Sequence, residues 1–229
     1  MDDWTAYLDL YCERTASGLW NEPLNAMTNL AFWIAAGVVV AVCRRRGKVL
    51  TTDLKVLILL LLVVGAGSLA LHTLATRAAG LADVVGIALY LHAWCVVYLH
   101  RVWHWPWRLA WLGVPGFLLL STALGWVWQS IDMQPAAYLA AWTVLLLACL
   151  DAARRRQLAV ARPLGYAWLV FACSMALRQI DSTLCGAWPH GTHFMWHLLN
   201  ACTLGLTVWG LACAQREPTR PCGDTSKAK

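Results

Sequence analysis

Seven long apolar stretches dominate this sequence and limit what it can fold into. They run over about 25–43, 55–75, 82–103, 109–128, 135–152, 163–180 and 192–214. A helix of about 20 apolar residues spans a bilayer, so a chain of 229 residues, 60% of them apolar, has room for about seven spans joined by short loops. We therefore expect an all-α fold, a seven-transmembrane-helix bundle in an integral multi-pass membrane protein.

The basic residues lie in alternate loops, which predicts an orientation. Loops after the first, third and fifth stretches and the C-terminal tail carry nearly all of them: Arg44, Arg45, Arg46, Lys48, Arg101, Arg108, Arg154, Arg155, Arg156, Arg162, Arg216, Arg220, Lys227 and Lys229. The positive-inside rule then puts the N-terminus outside and the C-terminus in the cytoplasm. Because the basic residues cluster in these loops, the net charge of +6 is explained by the membrane topology, and no nucleic-acid partner is expected.

The domain organisation expected from this pattern is simple. Residues 1–215 form a single seven-helix membrane domain whose N-terminal segment, 1–24, lies outside, and 216–229 form a polar, disordered tail. The first residues, MDDWTAYLDLY, lack the basic and apolar regions of a signal peptide, so we expect none. The short loops favour a bacterial inner membrane over an endomembrane. The oligomeric state is left open.

Five polar residues stand out because ionisable groups are costly inside a membrane. Ser68 and His72 share one face at the outer end of the second stretch, and Asp83 begins the third. His193 and His197 share a face at the outer start of the seventh. The expected topology brings all five to one depth on one side.

Three neutral imidazoles form a Zn²⁺ site with one position left open, as in catalytic zinc sites. We therefore predict zinc on His72, His193 and His197. A bundle without metal, whose histidines only bridge helices, is the alternative for these residues. Arg178 and Asp181, three residues apart at a helix end, are expected to form a structural ion pair, and a supporting role near the site is the alternative.

These residues carry a resemblance to the alkaline ceramidases, seven-span zinc amidases related to the progestin and adipoQ receptors. The shared pattern is Ser-x3-His, then Asp, then His-x3-His, here Ser68, His72, Asp83, His193 and His197. The N-terminal "YCERTASGLWNEPLNAMTNLAFW" and the later "IDSTLC" and "GTHFMWHLL" also resemble that family. The similarity extends over about 9–210, nearly the whole chain.

The resemblance implies hydrolysis of the amide bond of ceramide, or of a related lipid amide, to a sphingoid base and a fatty acid. Asp83 is then the catalytic general base, and Ser68 donates a hydrogen bond to the oxyanion or to the water. The substrate reaches the site from within the bilayer. The alternative is a seven-span, lipid-sensing receptor-like protein with a structural zinc, because the receptors share the same core residues.

The resemblance also implies a calcium site in the N-terminal segment, where this sequence departs from the family. Asp9, Glu13 and Glu22 are the candidate ligands, but Leu10 and Thr15 stand where the family has Asp and Asn. Calcium takes six to eight oxygens, and these residues supply fewer side chains than the family pattern. The alternative is a set of carboxylates that pair with Arg14 or cap the first helix.

Cys12 and Cys185 are the two cysteines expected outside the apolar stretches on the non-cytoplasmic side. Both flank segments that resemble the family, and that side is oxidising in a periplasm or secretory lumen. We predict a disulfide between them, which would hold the N-terminal segment over the zinc site. Two unpaired thiols in mobile loops are the alternative.

Overall fold

The computed structural model describes residues 3–128 and 138–214, and within them the secondary structure is helical apart from one isolated bridge between Tyr7 and Thr76. The helices of this part are α1 Pro23–Thr28, α2 Leu30–Arg45, α3 Thr52–Leu74, α4 Arg77–Val102, α5 Trp107–Ala110, α6 Gly113–Trp128, α7 Leu139–Arg154, α8 Leu158–Leu184 and α9 His193–Cys213. The expected all-α class is confirmed for these residues. The expected tail, 216–229, lies outside them.

Within the described residues, five helical segments are long and apolar enough to cross a membrane: Pro23–Arg45, Thr52–Leu74, Arg77–Val102, Trp107–Trp126 and Leu158–Leu184. The protein is therefore built to be embedded in a membrane. The other two expected spans correspond to α7 and α9. Helix α7 has 16 residues, and α9 has 21 but carries polar side chains such as Asn200 and Thr203 along its length.

The first expected stretch is interrupted at one residue, because α1 ends at Thr28 and α2 starts at Leu30, but the backbone of Asn29 keeps helical angles (φ −65°, ψ −20°). Asn29 lies between them, and its side-chain amide donates to the carbonyl of Asn25 at 2.8 Å. Such local side-chain bonds compete with regular helical bonding. The short helix α1 that results places Glu22, Asn25 and Thr28 beside the histidines described below.

Helix α9 has the central place in the bundle and packs against α1, α2, α3, α4 and α8. Its buried face includes Ala201, Gly205, Val208 and Leu211. A methyl group at Gly205 would already be 3.5 Å from the Ala35 side chain, so α2 and α9 are closely packed. Because the first turn of α9 carries two histidines, this position buries them inside the bundle.

Three segments meet at one end of the bundle. The N-terminal segment bonds to the α3–α4 connection through Leu8 N to Ala75 O (2.8 Å) and Arg77 N to Ala6 O (3.1 Å). It is also joined to the end of α8 by a disulfide between Cys12 and Cys185, whose Cα atoms are 5.1 Å apart. The pair expected from the sequence is thus bonded. The ends of α3 and α8 and the starts of α4 and α9 surround the site at this end.

Candidate metal centre

His72, His193 and His197 form one buried cluster at this end. Each side chain is at most 3% exposed, and the ring centroids are 4.6 to 5.0 Å apart. One nitrogen from each ring lies within 4.8 Å of the others. Within 3–128 and 138–214, this is the group of His, Cys, Asp or Glu side chains that is close enough to hold a metal ion.

The hydrogen bonds of His72 and His197 leave one nitrogen of each ring available for a metal. His72 Nδ1 lies 2.5 Å from Glu22 Oε2, and His197 Nδ1 lies 3.0 Å from Thr28 Oγ1. The Thr28 hydroxyl already donates to the carbonyls of Leu24 and Asn25, so it accepts from His197. Both rings therefore donate through Nδ1 and keep a lone pair on Nε2.

Three buried ring nitrogens have no hydrogen-bond partner: His72 Nε2, His193 Nδ1 and His197 Nε2. A buried polar atom without a partner costs about 1–3 kcal/mol, so three in one cluster indicate a missing ligand. Metal-binding histidines also commonly donate their second nitrogen to a carboxylate, as His72 does to Glu22. The cluster therefore fits a metal ion well.

Glu22 is ionised at this position and accepts hydrogen bonds on both of its carboxylate oxygens. Arg14 Nε donates to Oε1, while His72 and the Asn25 amide (3.1 Å) donate to Oε2. Burial favours the neutral acid, but the hydrogen bonds from His72, Arg14 and Asn25 together hold the pKa of Glu22 below its usual value. The sequence suggested calcium or Arg14 as the partner of Glu22 but not His72, because the separation of 50 residues leaves no local signal for this contact.

The other candidate calcium ligands, Glu13 and Asp9, differ in their surroundings. Glu13 accepts the backbone N–H groups of Leu24 (2.7 Å) and Asn25 (2.8 Å), which caps α1. Asp9 is exposed. The carboxylates thus take the alternative roles, pairing with Arg14 and capping the first helix.

Ser68 and Asp83 lie beside the histidines, on the facing sides of α3 and α4. Both side chains line the same cavity, and Asp83 is within the electrostatic range of His72 and Arg178. Asp83 Oδ1 is buried and has no hydrogen-bond partner. A Cβ at Gly67 would lie 2.8 Å from the carbonyl oxygen of Ala82, so only glycine permits this close approach of the two helices.

The expected ion pair between Arg178 and Asp181 is wrong. Asp181 Oδ1 instead accepts the backbone N–H groups of Thr192 (2.6 Å) and His193 (2.9 Å). The N–H groups in the first turn of α9 have no hydrogen-bond acceptor within the helix, and a carboxylate is a good acceptor for them. The Arg178 guanidinium lies 4.7 Å from the ring centre of Tyr11.

Gly191 completes the turn that places His193. Its φ of +61° is in the left-handed region, and a Cβ there would lie 2.3 Å from Asp181 Oδ1 and 3.0 Å from Cys12 Sγ. The "GTH" sequence therefore serves the turn as well as the site. Tyr11 covers the same place, with its ring stacked on that of His193 at 3.8 Å.

An apolar cavity extends from the site into the bundle. Its polar end has Ser68, Asp83, Arg178, His193 and His197, and its deeper wall includes apolar and aromatic residues such as Trp94, Cys95, Phe117, Leu145 and Leu204. A rise of about 1.5 Å per residue puts Cys95 about 18 Å from Asp83 along α4. The lining of the cavity therefore changes from polar beside the histidines to apolar deeper in the bundle.

No family model matches the chain, and no match is found among curated proteins. The resemblance to the alkaline ceramidases accordingly stays a prediction that depends on the motif residues.

Proposed function

We propose that this protein is a zinc-dependent intramembrane hydrolase that cleaves the amide bond of ceramide or a related lipid amide. The observation that carries the proposal is the set of three unpartnered imidazole nitrogens beside an unpartnered carboxylate oxygen of Asp83, at the polar end of an apolar cavity. Three imidazoles without thiolates are a ligand set that suits catalytic zinc.

Zinc, when bound, supplies a Lewis acid that polarises the amide carbonyl and acidifies water. Asp83 accepts a proton from the attacking water through its unpartnered oxygen. The water oxygen bonds to the carbonyl carbon, the carbon–nitrogen bond breaks, and Asp83 returns the proton to the leaving amine. The products are a fatty acid and a sphingoid base.

Ser68 and the cavity wall support the same chemistry. The Ser68 hydroxyl lines the cavity beside Asp83 and can donate to the oxygen that becomes negative during attack. The apolar side chains below the site, such as Phe117 and Leu145, exclude water and bind hydrocarbon. They hold a long chain of the substrate while its amide lies beside the histidines.

For the membrane arrangement, we propose seven spans, which are the five segments given above together with the shorter helix α7 and with α9. The disulfide between Cys12 and Cys185 needs an oxidising compartment, which supports an external position for the N-terminal segment. The arginines after α2 and α7 lie at the opposite end, in agreement with a cytoplasmic side. A bacterial inner membrane is the preferred location.

Turnover by the purified protein in detergent or liposomes tests the function. The wild type should contain zinc and release fatty acid from ceramide, and Asp83→Ala should keep its zinc but lose turnover. Arg108→Ala, an exposed change beyond α4, serves as the control and should keep both. A protein that binds zinc yet hydrolyses no lipid amide would support the receptor-like alternative instead.

A further inference from the structure

The guanidinium of Arg14 is buried in a shell of oxygen atoms. Nε donates to Glu22 Oε1, Nη1 donates to the carbonyls of Ala16 (3.4 Å) and Gly18 (3.2 Å), and Nη2 donates to the carbonyl of His72 (2.9 Å). The residue is 4% exposed, so these oxygens replace its water almost completely. One carboxylate and several backbone carbonyls are also the ligand types of a hard cation.

This shell stands where the resemblance implies calcium, and the residues present do not fit calcium. Glu13 is occupied by two backbone N–H groups, and Asp9 is exposed. Glu22 is shared between Arg14 and His72. A second cation among the same oxygens would compete directly with the guanidinium.

We propose that Arg14 takes the place of a calcium ion in this protein and positions Glu22 and His72 for metal binding, so that the metal site needs no calcium. Arg14 is a positioning residue, because it touches the candidate ligand His72 only through its backbone carbonyl and through Glu22. The inference rests on the proposed metal site at the three histidines.

The two contacts act on the same candidate ligand, one through its backbone and the other through its side chain. The bond to the His72 carbonyl holds the end of α3, and the bond to Glu22 fixes the carboxylate that receives His72 Nδ1. Without Arg14, Glu22 would be a buried charge with weaker compensation and would lose its fixed orientation. A lysine could keep the charge but not the several directed bonds of the planar guanidinium.

Competition with a zinc chelator tests this inference. The zinc-loaded wild type should release zinc at the same rate with calcium present and with calcium removed by a selective chelator. Arg14→Met should weaken zinc binding by about 10–100-fold, the usual scale for loss of a partner behind a ligand. Arg14→Lys should lie between the two, and the exposed-site control Arg108→Met should match the wild type.

A double-mutant cycle separates positioning from general damage. Because Arg14 acts largely through Glu22, Arg14→Met should add little to the loss of zinc affinity already caused by Glu22→Gln. Additive losses would overturn the inference, as would unchanged zinc affinity in Arg14→Met. Faster zinc loss from the wild type on removal of calcium would overturn it without any variant. A wild type that never takes up zinc would instead refute the proposed metal site.

Discussion

The ring of Tyr11 lies parallel to that of His193, with 3.8 Å between the ring centroids and 14° between their planes. On the same tyrosine, the guanidinium of Arg178 lies 4.7 Å from the ring centre. Burial raises the pKa of the Tyr11 phenol, so the ring is neutral where it covers the histidines. The N-terminal segment is thereby part of the metal centre, and the adjacent Cys12 fixes it there.

Removal of the disulfide should therefore lower the stability of the fold and weaken zinc binding at the site. The bond joins residues 173 apart, and the chain-entropy treatment of a loop this long gives about 5 kcal/mol of stabilisation. Cys12→Ser and Cys185→Ser should each lower the thermal unfolding temperature in detergent and speed zinc release. Cys173→Ser, an exposed free cysteine on α8, is the control. Equal unfolding temperatures for all of these proteins would show that the bond contributes little.

The zinc prediction concerns stoichiometry. Purified wild type should contain about one zinc per chain, since the three imidazoles form one site. His193→Ala and His197→Ala should each lose it, whereas His190→Ala, an exposed histidine in the preceding loop, should keep it. Elemental analysis gives the answer. Full zinc content in both α9 variants would exclude the assignment.

Asp83 and Ser68 should differ in their effect on turnover. Asp83→Asn removes the base and should lower the rate by about 10²–10⁴-fold. Ser68→Ala removes one donor to the developing charge and should cost on the order of 10²-fold. Both variants should keep zinc, which separates a chemical effect from loss of metal. A near-normal rate for Asp83→Asn would remove this residue from the mechanism.

Gly67 allows a prediction about helix spacing. A Cβ at this position would lie 2.8 Å from the Ala82 carbonyl oxygen and 3.1 Å from the Asp83 Cα, so Gly67→Ala must push α3 away from α4. Turnover should fall because Ser68 and Asp83 move apart, and small displacements of catalytic groups have large effects on rate. The matched control is Gly116→Ala on α6, where a Cβ meets open space. The prediction fails if both variants hydrolyse the substrate equally fast.

Asp181 should matter for stability as a helix cap. It is buried and accepts from Thr192 and His193 at the start of α9, so Asp181→Ala should cost about 0.5–2 kcal/mol. Asp181→Asn keeps an acceptor oxygen and should cost less. Thermal unfolding of the metal-free proteins measures both without the contribution of zinc. The reverse order of the two variants would argue against capping.

The sequence was sufficient to predict which site residues lie together wherever their spacing along a helix determines the face on which they lie. Ser68 with His72, and His193 with His197, are four residues apart, so a helix must place each pair on one face. The alternation of basic loops then brought the two pairs and Asp83 to one end. The disulfide followed from the same assignment of loops to sides.

Residues whose partners are distant in the chain could not be assigned in this way. Glu22 meets His72 across 50 residues, and Arg14 donates to the carbonyl of His72 across 58. Asp181 was paired with Arg178 because they are close in sequence, but the free N–H groups at the start of α9 are stronger competitors for a buried carboxylate. The contact of Tyr11 with His193 could not be predicted either, because a tyrosine in a polar segment belongs to no pattern that indicates a binding site.

The position of α9 also has a consequence for how the protein is made. Two of the three imidazoles lie on the last described helix, and the partners of this helix include α1 and α2 near the N-terminus. Earlier helices leave the ribosome first, so groups whose partners lie on α9 must wait in the membrane without them. The hydroxyl of Tyr90 on α4, which bonds to the Leu204 carbonyl and to Thr207 Oγ1 in the folded protein, is one of these groups. The three-histidine cluster is complete only once the start of α9 has been translated. A nascent chain that is stalled before α9 should therefore be a preferred target for membrane quality control.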